Sequence, residues 1–567
     1  MGTPREATRG YTRLTTSHQP NPARASNRGV TDLSPWSPSH DRRFASILRG
    51  PPPIAGRAAL PAPSTMGLGI PMKRLLLLAL LTGCSGEQAP APRSPDVLLV
   101  ILDTVREDAA FGTRRPGVTP QLDALATQGA RFSDVTTHGS WTWPSHTSLF
   151  TGRPPWEHGA RFAPPDEAAL LLGERKWSVG AFPTDLTTLA EQFQAAGYRT
   201  VSLSENPLIG PDLGSTRGFA VAEVQPAEST MAWVYERAGE LLRQPDDRPL
   251  FLFVNILDAH HPWLLSPVGW LDPHRETLRP GSAPDWIAPF VGTDHGETVL
   301  DLLQPIAPGG HTGEVAFHTG AWTPPPEAAT LFRDLYDASV HRADFKLHKV
   351  VKDWTNSGRS GVLAVTSDHG ELLGEHGALF HGRTVWPELT QVPLVLVAPG
   401  RIPAGRVVDS PIQMTDLHDT LLDLSGIGTG PRSLVAAATG AGSAPTGPIE
   451  AAAWPDVGFG EKVGGRYTER WRMHRDGDFA VVVGDHSPVA YFDLAADPTM
   501  EHNLLDGDSS RAAAAEPLSR AARAWTERPI TRGAQASPET IQALQALGYV
   551  DRSEDTPSAA APQAPTP

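Results

Sequence analysis

Polar side chains that can bind metal ions stand directly after three apolar runs of this sequence. They are Asp103 after VLLVIL, Asp258 and His260 after FVNIL, and Asp368 with His369 after VLAVTS. Ligands of open α/β sheets bind at the carboxyl ends of parallel strands, so these endings favour one shared site. Carboxylate and imidazole groups suit zinc, manganese or a harder divalent ion. Asp103 taken alone has a simpler alternative, because aspartate also caps helices.

A hydroxyl group occurs in a fourth segment, residues 139–153. Pro144 is typical of the first position of a helix and Gly152 of its end, which predicts Thr142 just before the helix N-terminus. At that place, free backbone N–H groups and the helix dipole favour an anion. A threonine hydroxyl in contact with a divalent ion can lose its proton and act as a nucleophile. The alternative is that Thr142 only caps the helix.

The elements around these residues predict an α/β fold. The run VLLVIL at 97–102 is typical of a strand buried on both faces. We expect further strands at 198–204, 249–257, 361–367 and 393–400, and helices at 119–129, 185–197 and 335–354. The alternation of strands and helices predicts a mostly parallel central sheet that is flanked by helices.

A smaller C-terminal subdomain is expected after this domain. From about residue 455 the pattern changes to short strands, FAVVV and PVAYFDL, and a late helix, which indicates an α+β subdomain. The stretch 427–452 is rich in Gly, Ala, Pro and Thr and predicts a loop at the border. We therefore place the larger domain at 96–450 and the subdomain at 451–550.

Composition and charge exclude several classes of protein. Of the 567 residues, 40% are hydrophobic and 20% are charged, which suits a chain with a large core. A single cysteine excludes a disulfide framework and a cysteine-based zinc site. The formal net charge of −15 argues against nucleic acid as a partner and against electrostatic adhesion to anionic lipid.

The N-terminal part of the sequence indicates a targeting segment rather than a folded domain. Residues 1–71 show no helical or strand period, which indicates a misassigned start or a disordered leader. Residues 72–84, MKRLLLLALLTGC, have a positive start and a short apolar run before the only cysteine, Cys84. This pattern resembles a bacterial lipoprotein signal whose cysteine is lipidated. The alternatives are an ordinary signal peptide and a buried strand with a chance cysteine.

The lipoprotein interpretation carries several expectations. The mature chain would be anchored in the bacterial cell envelope, on the periplasmic or surface side, and would contact the membrane only through a lipid on Cys84. The segment 85–95 would be a linker. The tail 551–567 is typical of disorder.

Several ordered motifs resemble the sulfatase family of the alkaline-phosphatase-like superfamily. The string TWPSHTSLFTGR at 142–153 is similar to the family signature C/S-x-P-S-R-x-x-L-x-T-G-R. LLVILDTVRED, DAHHPW and SDHGELLGEHG resemble the first metal strand, the D-P-H-x-P-Y segment and the second metal segment of that family. MTDLHDTLLDLSG, FDLAADPTMEHNL and LQALGYV match its later landmarks. The resemblance covers about 95–505 and 547–550.

The resemblance implies a metal centre and a nucleophile. Asp103, Asp368 and His369 would bind one divalent ion, which would be calcium, zinc or manganese. Thr142 would stand at the position of formylglycine and would contact the ion as well. Formylglycine is made from cysteine or, in some systems, serine, so we expect none in this chain. The formylglycine hydrate uses one hydroxyl to attack and another to expel sulfate, and threonine has only one.

The resemblance also implies roles for three histidines. His260 would contact the transferring or the leaving group. His381 would replace an anion-binding lysine, and His146 would replace the arginine of the signature. Thr104 is a further departure, because the family has a second aspartate there.

The set Asp103, Thr142, Asp368 and His369 is similar to that of relatives that transfer phosphoethanolamine or phosphoglycerol groups. Those relatives hold zinc or manganese, and their threonine is transiently phosphorylated before it passes the group to water or an acceptor. On this reading a second metal ion is an option, with His260 and His381 as ligands; otherwise these two histidines would neutralise phosphoryl oxygens.

The sequence leaves three functions open. The first is a metal-dependent hydrolase or transferase that acts on a sulfate or phosphate ester, with Thr142 as the nucleophile. The second is an arylsulfatase-type sulfuric ester hydrolase that works without formylglycine. The third is a catalytically inactive, anchored glycan-binding lipoprotein. The retained Asp103, Thr142, Asp368 and His369 argue against the third.

Overall fold

The computed structural model describes residues 93–549, apart from 113, 164–169, 173–174, 178, 227–228, 280, 295–296, 307–309, 531–535 and 548. The expected leader, lipoprotein signal, Cys84 anchor and C-terminal tail lie outside the described residues, as does most of the expected linker. Within the described ranges, no helix combines the length and the apolar character that crossing a bilayer requires.

An eight-stranded sheet forms the centre of the larger domain. Its strands are arranged in the order β8-β2-β7-β6-β1-β5-β3-β4. Strand β7 pairs antiparallel with β6 and with β2, and the other neighbouring pairs are parallel. The expected mostly parallel sheet is therefore confirmed. In chain order the strands are β1 Asp96–Leu102, β2 Ala130–Phe132, β3 Arg199–Ser204, β4 Val221–Val224, β5 Leu250–Ile256, β6 Gly361–Thr366, β7 Leu394–Val397 and β8 Arg406–Val408.

Strand β1 lies inside the sheet between β6 and β5. Leu99 and Ile101 pack into the core on one face of the sheet. Leu98 and Val100 pack into the core on the other face. Because successive side chains of a strand point to opposite faces, a strand that is covered on both sides needs an apolar residue at every position.

Helices cover both faces of this sheet. The longest, Ala328–Asn356, packs Leu335 and Leu347 into the same core as Leu98. Helix Thr142–Thr151 packs Phe150 into the opposite core. The remaining α-helices are Glu107–Ala110, Pro120–Ala126, Pro155–His158, Leu189–Ala195, Trp233–Arg243, Asp272–Thr277, Gly313–Thr319, Pro387–Thr390, Asp416–Leu424, Val435–Thr439, Val457–Val463, Ala512–Arg523 and Pro538–Ala546.

Short elements complete the connections between these helices and strands. The short strands are Val135–Thr136, Leu170–Leu172, Arg175–Trp177, Trp263–Leu264, Val291–Asp294, Glu297–Leu300, Leu372–Leu373, Leu379–Phe380 and Ile412–Gln413. The 3₁₀ turns are Pro211–Leu213, Gly269–Leu271, Ala288–Phe290, Glu375–Gly377, Gly465–Thr468 and Ser509–Arg511.

A separate antiparallel sheet forms the C-terminal subdomain. Helix Ala512–Arg523 packs against its two middle strands. This arrangement confirms the expected smaller α+β subdomain. The strands, in chain order and in sheet order, are β9 Ile449–Ala453, β10 Trp471–Asp476, β11 Phe479–Gly484 and β12 Ala490–Asp493.

The expected loop at 427–452 is wrong in part. It contains helix Val435–Thr439 and most of β9. Leu434, Ala437 and Ala438 are buried in the core that also contains Leu99 and Phe150, called the main core from here on. This segment therefore has an apolar side that packing stabilises. Alanine also has the strongest helix preference of all residues. A composition rich in Gly, Ala, Pro and Thr therefore hid a short helix.

Candidate active site

Strands β1 and β6 bring the three proposed metal ligands together. The strands are parallel neighbours, and Asp103 follows β1 while Asp368 and His369 follow β6. One ligand atom from each residue lies within 4.8 Å of the other two, and all three side chains are buried. His369 donates from Nδ1 to the carbonyl of Gly370 at 2.9 Å. Its Nε2 faces the carboxylates, at 3.5 Å from Asp368 Oδ2 and 3.9 Å from Asp103 Oδ1. With the hydrogen on Nδ1, Nε2 offers a lone pair, which suits a metal ion.

The charge at this place fits a divalent cation. Asp103 and Asp368 are almost fully buried, and no lysine or arginine among the described residues forms an ion pair with either. Asp368 Oδ2 accepts no hydrogen bond from the described residues, and His146 Nδ1 lies 3.4 Å from it. Burial raises the pKa of Asp368, but the nearby His369 and His146 outweigh burial and hold it below its usual range. Two buried carboxylates without a strong cationic partner are costly unless an ion neutralises them.

Thr142 lies at this cluster and does not cap its helix. The helix begins with Thr142 itself, and Trp141 occupies the N-cap position without a side-chain cap bond. The Thr142 hydroxyl lies 3.4 Å from His369 Nε2. The predicted helix start at Pro144 is wrong by two residues. Proline is tolerated there because the first N–H groups of a helix have no partner within the helix.

Two asparagines support Asp103, and the motif analysis missed both. Asn206 follows β3 and Asn255 lies near the end of β5. Their Nδ2 atoms donate to Asp103 Oδ2 at 2.9 Å and 3.0 Å. Asn206 Nδ2 also lies 3.3 Å from the Thr142 hydroxyl. The signal that would have found them is the same as for the ligands, a polar residue at the carboxyl end of a buried strand.

His260 and His381 also lie at the proposed metal site. The His381 ring lies 4.4 Å from the His369 ring and 4.9 Å from the His260 ring, measured between centroids. Burial lowers the pKa of His260, and burial with the neighbouring His369 lowers the pKa of His381 well below its ordinary value. Both rings are therefore neutral near pH 7, which suits metal ligands or hydrogen-bonding groups.

Glu371 orients His381, and sequence reasoning missed it. His381 Nδ1 lies 2.8 Å from Glu371 Oε1. Burial, together with the charge of Glu314, raises the pKa of Glu371 well above its ordinary value. Glu371 stands two residues after His369 in DHGE, which offered no separate signal.

Two further candidates from the sequence, His146 and Asp258, are not among the three proposed metal ligands. His146 Nδ1 lies 3.1 Å from the Thr142 carbonyl and faces Asp368, so it supports the cluster from within the helix. Although burial lowers the pKa of His146, Asp368 raises it above the ordinary value. Asp258 does not join the cluster, because it forms an ion pair with Lys346 Nζ at 2.6 Å.

A cavity with aromatic walls opens beside the histidines. Trp141 stacks on Phe162 with 4.4 Å between ring centroids. The Tyr549 hydroxyl reaches from the C-terminal end of the described chain and lies 2.9 Å from the Thr142 hydroxyl. The sequence pointed to this tyrosine only as part of LGYV. The cavity wall near the site includes Trp141, Phe162, His260, Phe380, His381 and Tyr549.

Comparison with known proteins identifies the family. The family model "Sulfatase" matches residues 95–427. A sulfatase of Formosa agariphila is 25% identical over 381 residues, which cover 59% of this chain and 69% of that protein. The Delta 4,5-hexuronate-2-O-sulfatase of Bacteroides thetaiotaomicron is 24% identical over 361 residues, which cover 60% of this chain and 70% of that protein.

A solved structure shows the same fold. The phosphonate monoester hydrolase of Agrobacterium radiobacter matches with a TM-score of 0.54 at 21% identity, and the match covers 82% of this chain and 100% of that one. At this identity the likeness concerns the fold alone. The family model, by contrast, matches more than half of the chain and includes Asp103, Thr142, Asp368 and His369. The chain therefore belongs to the sulfatase family and is a sulfatase-like hydrolase of the alkaline-phosphatase-like superfamily.

Proposed function

We propose that this protein is a metal-dependent hydrolase or transferase that acts on a sulfate or phosphate ester, with Thr142 as its nucleophile. The observation that carries the proposal is the position of the Thr142 hydroxyl, 3.4 Å from Nε2 of His369, which forms the proposed metal-binding group with Asp103 and Asp368. A helix N-terminus at the same place favours an anion.

Asp103, Asp368 and His369 would hold the divalent ion. When bound, the ion would neutralise ester oxygens and favour loss of the Thr142 proton. Asn206 and Asn255 keep Asp103 in place, since both donate to its Oδ2.

The proposed reaction has two steps. The Thr142 oxygen attacks sulfur or phosphorus, a new bond to that oxygen forms, and the bond to the ester oxygen of the leaving group breaks. The hydroxyl proton leaves Thr142, and the leaving oxygen gains a proton to become an alcohol or phenol. Water, or an acceptor alcohol in a transferase, then attacks the same sulfur or phosphorus, and the bond to the Thr142 oxygen breaks. The proton lost by the attacking water or alcohol restores the Thr142 hydroxyl, and the group leaves as sulfate or phosphate or as an ester of the acceptor.

His260 and His381 would meet the oxygens of the transferring group, or bind a second metal ion. Their position beside His369 and their neutral state fit either role. The nearby aromatic wall of Trp141 and Phe162 offers an apolar surface to the leaving group.

A second candidate is a sulfuric ester hydrolase that works with metal-activated water and without formylglycine. It is favoured by the sulfatase names of the relatives from Formosa agariphila and Bacteroides thetaiotaomicron. In this mechanism Thr142 would bind the metal or the ester without forming a covalent bond. The two candidates differ in what happens to the Thr142 oxygen during turnover.

Localisation is a separate part of the proposal. We propose that the chain is anchored in the bacterial cell envelope through a lipid on Cys84, which the sequence MKRLLLLALLTGC supports. Labelling of cells with a radioactive fatty acid tests this, because Cys84→Ser would lose the label. A labelled Cys84→Ser protein would contradict the anchor.

The experiment on Thr142 decides between the two catalytic candidates. We expect Thr142→Ala to lose activity on 4-nitrophenyl phosphate, bis(4-nitrophenyl) phosphate and 4-nitrophenyl sulfate by about 10³-fold or more while it keeps its bound metal. Thr147→Ala is the matched control, because its hydroxyl donates to the Trp143 carbonyl in the same helix. Acid quenching during turnover should trap phosphothreonine or sulfothreonine at 142. Full activity of Thr142→Ala would instead indicate activated water.

A further inference from the structure

Tyr549 places a hydroxyl group among the residues of the candidate active site. Its oxygen lies 2.9 Å from the Thr142 hydroxyl, 3.1 Å from His260 Nε2 and 3.3 Å from Asn206 Nδ2. Tyr549 stands 407 residues after Thr142 in the chain. One tyrosine hydroxyl therefore contacts the proposed nucleophile, one of its supports and one of the site histidines.

The helix before Tyr549 is docked firmly enough to hold the ring in position. Helix Pro538–Ala546 is capped by Ser537, whose hydroxyl accepts a hydrogen bond from the backbone N–H of Thr540. The Thr540 hydroxyl donates to Asp212 Oδ2 at 2.7 Å, which ties the helix start to the larger domain.

The end of the same helix is held as well. Leu544 is fully buried in the main core, and Tyr549 donates from its backbone N–H to the Leu544 carbonyl at 3.0 Å. This bond spans the turn at the end of the helix, as in common C-terminal caps. Tyr549 packs against the same core as Leu544. Both ends of the segment are thus fixed by contacts that lie away from the reacting atoms.

The direction of the hydrogen bonds follows from the partners of His260. The Nδ1 atom of His260 contacts the His261 carbonyl, which can only accept, so Nδ1 carries the hydrogen. Nε2 of the neutral ring is then an acceptor, and the Tyr549 hydroxyl donates to it. The oxygen of Tyr549 keeps its lone pairs for the Thr142 hydroxyl and for the Asn206 amide. The Thr142 hydroxyl can therefore donate to the Tyr549 oxygen or to Nε2 of His369, which is also an acceptor.

We propose that Tyr549 is a further catalytic residue, which orients the Thr142 hydroxyl and the His260 ring for attack on the ester. The inference rests on the proposed role of Thr142, because Tyr549 contacts the oxygen that attacks. Preorganised groups lower the barrier of the chemical step since they need not be ordered during the reaction. The C-terminal segment 537–549 is then a necessary wall of the active site.

The test is the variant Tyr549→Phe in the full chain, assayed with the nitrophenyl ester that the wild-type protein hydrolyses fastest. The variant keeps the ring and its packing but lacks the hydroxyl. We expect kcat and the single-turnover rate of nitrophenol release to fall by about tenfold to a hundredfold, with KM within about threefold of wild type. Tyr198→Phe is the matched control, because the Tyr198 hydroxyl donates to the Pro95 carbonyl far from the site. The control should keep the wild-type constants.

Each other result contradicts the inference. Wild-type constants for Tyr549→Phe would show that the hydroxyl is dispensable, and a change in KM alone would assign it to substrate binding. A rise in kcat would show that the tyrosine obstructs the nucleophile. If Tyr549→Phe does not fold, as its melting temperature would reveal, Tyr549→Met is judged by the same criteria. Activity in Thr142→Ala would remove the proposed function itself, whereas an inactive Thr142→Ala beside a fully active Tyr549→Phe would remove only this inference.

Discussion

Asp103 shows how much one site residue depends on others that are remote in the sequence. Its Oδ2 accepts hydrogen bonds from Asn206 at 2.9 Å and from Asn255 at 3.0 Å, and its Oδ1 accepts one from the Thr104 hydroxyl at 2.9 Å. These donors fix both oxygens of a carboxylate that would otherwise rotate. Thr104 stands where the family has a second aspartate, and here it supports the first one.

The asparagine supports give a prediction about metal affinity. We expect Asn206→Ala to weaken zinc and manganese binding by about tenfold to a hundredfold, because groups that orient metal ligands contribute this much. Isothermal titration calorimetry measures the change. Asn356→Ala, at an exposed position on the last turn of the longest helix, is the control and should bind metal like wild type. Unchanged affinity in Asn206→Ala would show that the Asn206 amide is not needed to hold Asp103 for metal binding.

Glu371 gives a prediction about protonation. Since burial and the charge of Glu314 raise the pKa of Glu371 well above its ordinary value, we expect a neutral carboxyl at pH 7. Glu371→Gln should then lower the free energy of unfolding by less than about 1 kcal/mol. The amide keeps the shape of the side chain and an acceptor for His381 Nδ1. Glu371→Ala should lower the free energy of unfolding by about 1–3 kcal/mol more than Glu371→Gln, since it leaves His381 Nδ1 without its partner. Urea unfolding measures both, and a costly glutamine variant would indicate an ionised Glu371.

Helix Ala328–Asn356 contributes more than apolar packing. Asp344 on this helix accepts hydrogen bonds from the backbone N–H groups of Gln121 at 2.8 Å and Leu122 at 2.9 Å. Those groups belong to the first turn of helix Pro120–Ala126, which has no side-chain cap of its own. Thr119 stands at the N-cap position of this helix, but its hydroxyl donates to the Ala110 carbonyl instead. One helix thus supplies the cap of another.

Asp344 also makes stability depend on pH. Burial raises the pKa of Asp344 from 3.8 to about 7 in the folded protein. Between pH 4 and pH 7 the unfolded chain has lost this proton while the folded protein keeps it, so stability falls as the pH rises. We expect the stability of wild type relative to Asp344→Asn to fall on the order of 3 kcal/mol across this range, measured by urea unfolding. Parallel pH curves for wild type and Asp344→Asn would contradict the assignment.

At the scale of the whole molecule, polar residues of the candidate site lie where neighbouring strands of the central sheet end. Strands β6, β1, β5 and β3 are neighbours, and they deliver Asp368, Asp103, Asn255 and Asn206 to one place. Two buried carboxylates at this place oppose folding unless a cation neutralises them. The same feature that prepares the site for chemistry therefore couples metal binding to stability.

Metal binding should raise the stability of the whole protein. At a zinc or manganese concentration of about 100 times Kd, we expect a gain of about 2.7 kcal/mol and a higher melting temperature by differential scanning calorimetry. The double variant Asp103→Asn/Asp368→Asn should show no metal-dependent shift, and it should be more stable than wild type after treatment with a chelator, because it lacks the repelling charges. A metal-dependent shift in the double variant would place the ion elsewhere.

Local patterns were sufficient for the central strands of the sheet and for part of the site. The runs that form β1, β5 and β6 are apolar at almost every position, and this is a direct consequence of burial on both faces. The polar residue after each run then follows from chain order. Thr142 was identified through its spacing from Pro144 and Gly152 and through the resemblance to the family signature, although its helix begins two residues earlier than predicted.

Hydrogen-bond partners were decided by packing alone. Asp258 follows a buried strand as Asp103 does, yet it turns to Lys346, while Asn255 of the same segment turns to Asp103. Tyr549 reaches the site only because a helix near the C-terminus docks against the larger domain. A residue's type and its place in a strand follow from neighbours a few positions away, whereas its contacts depend on which elements the fold places side by side. The chemistry available to the chain could therefore be listed from its residues, and the tertiary arrangement selected which of them share one site.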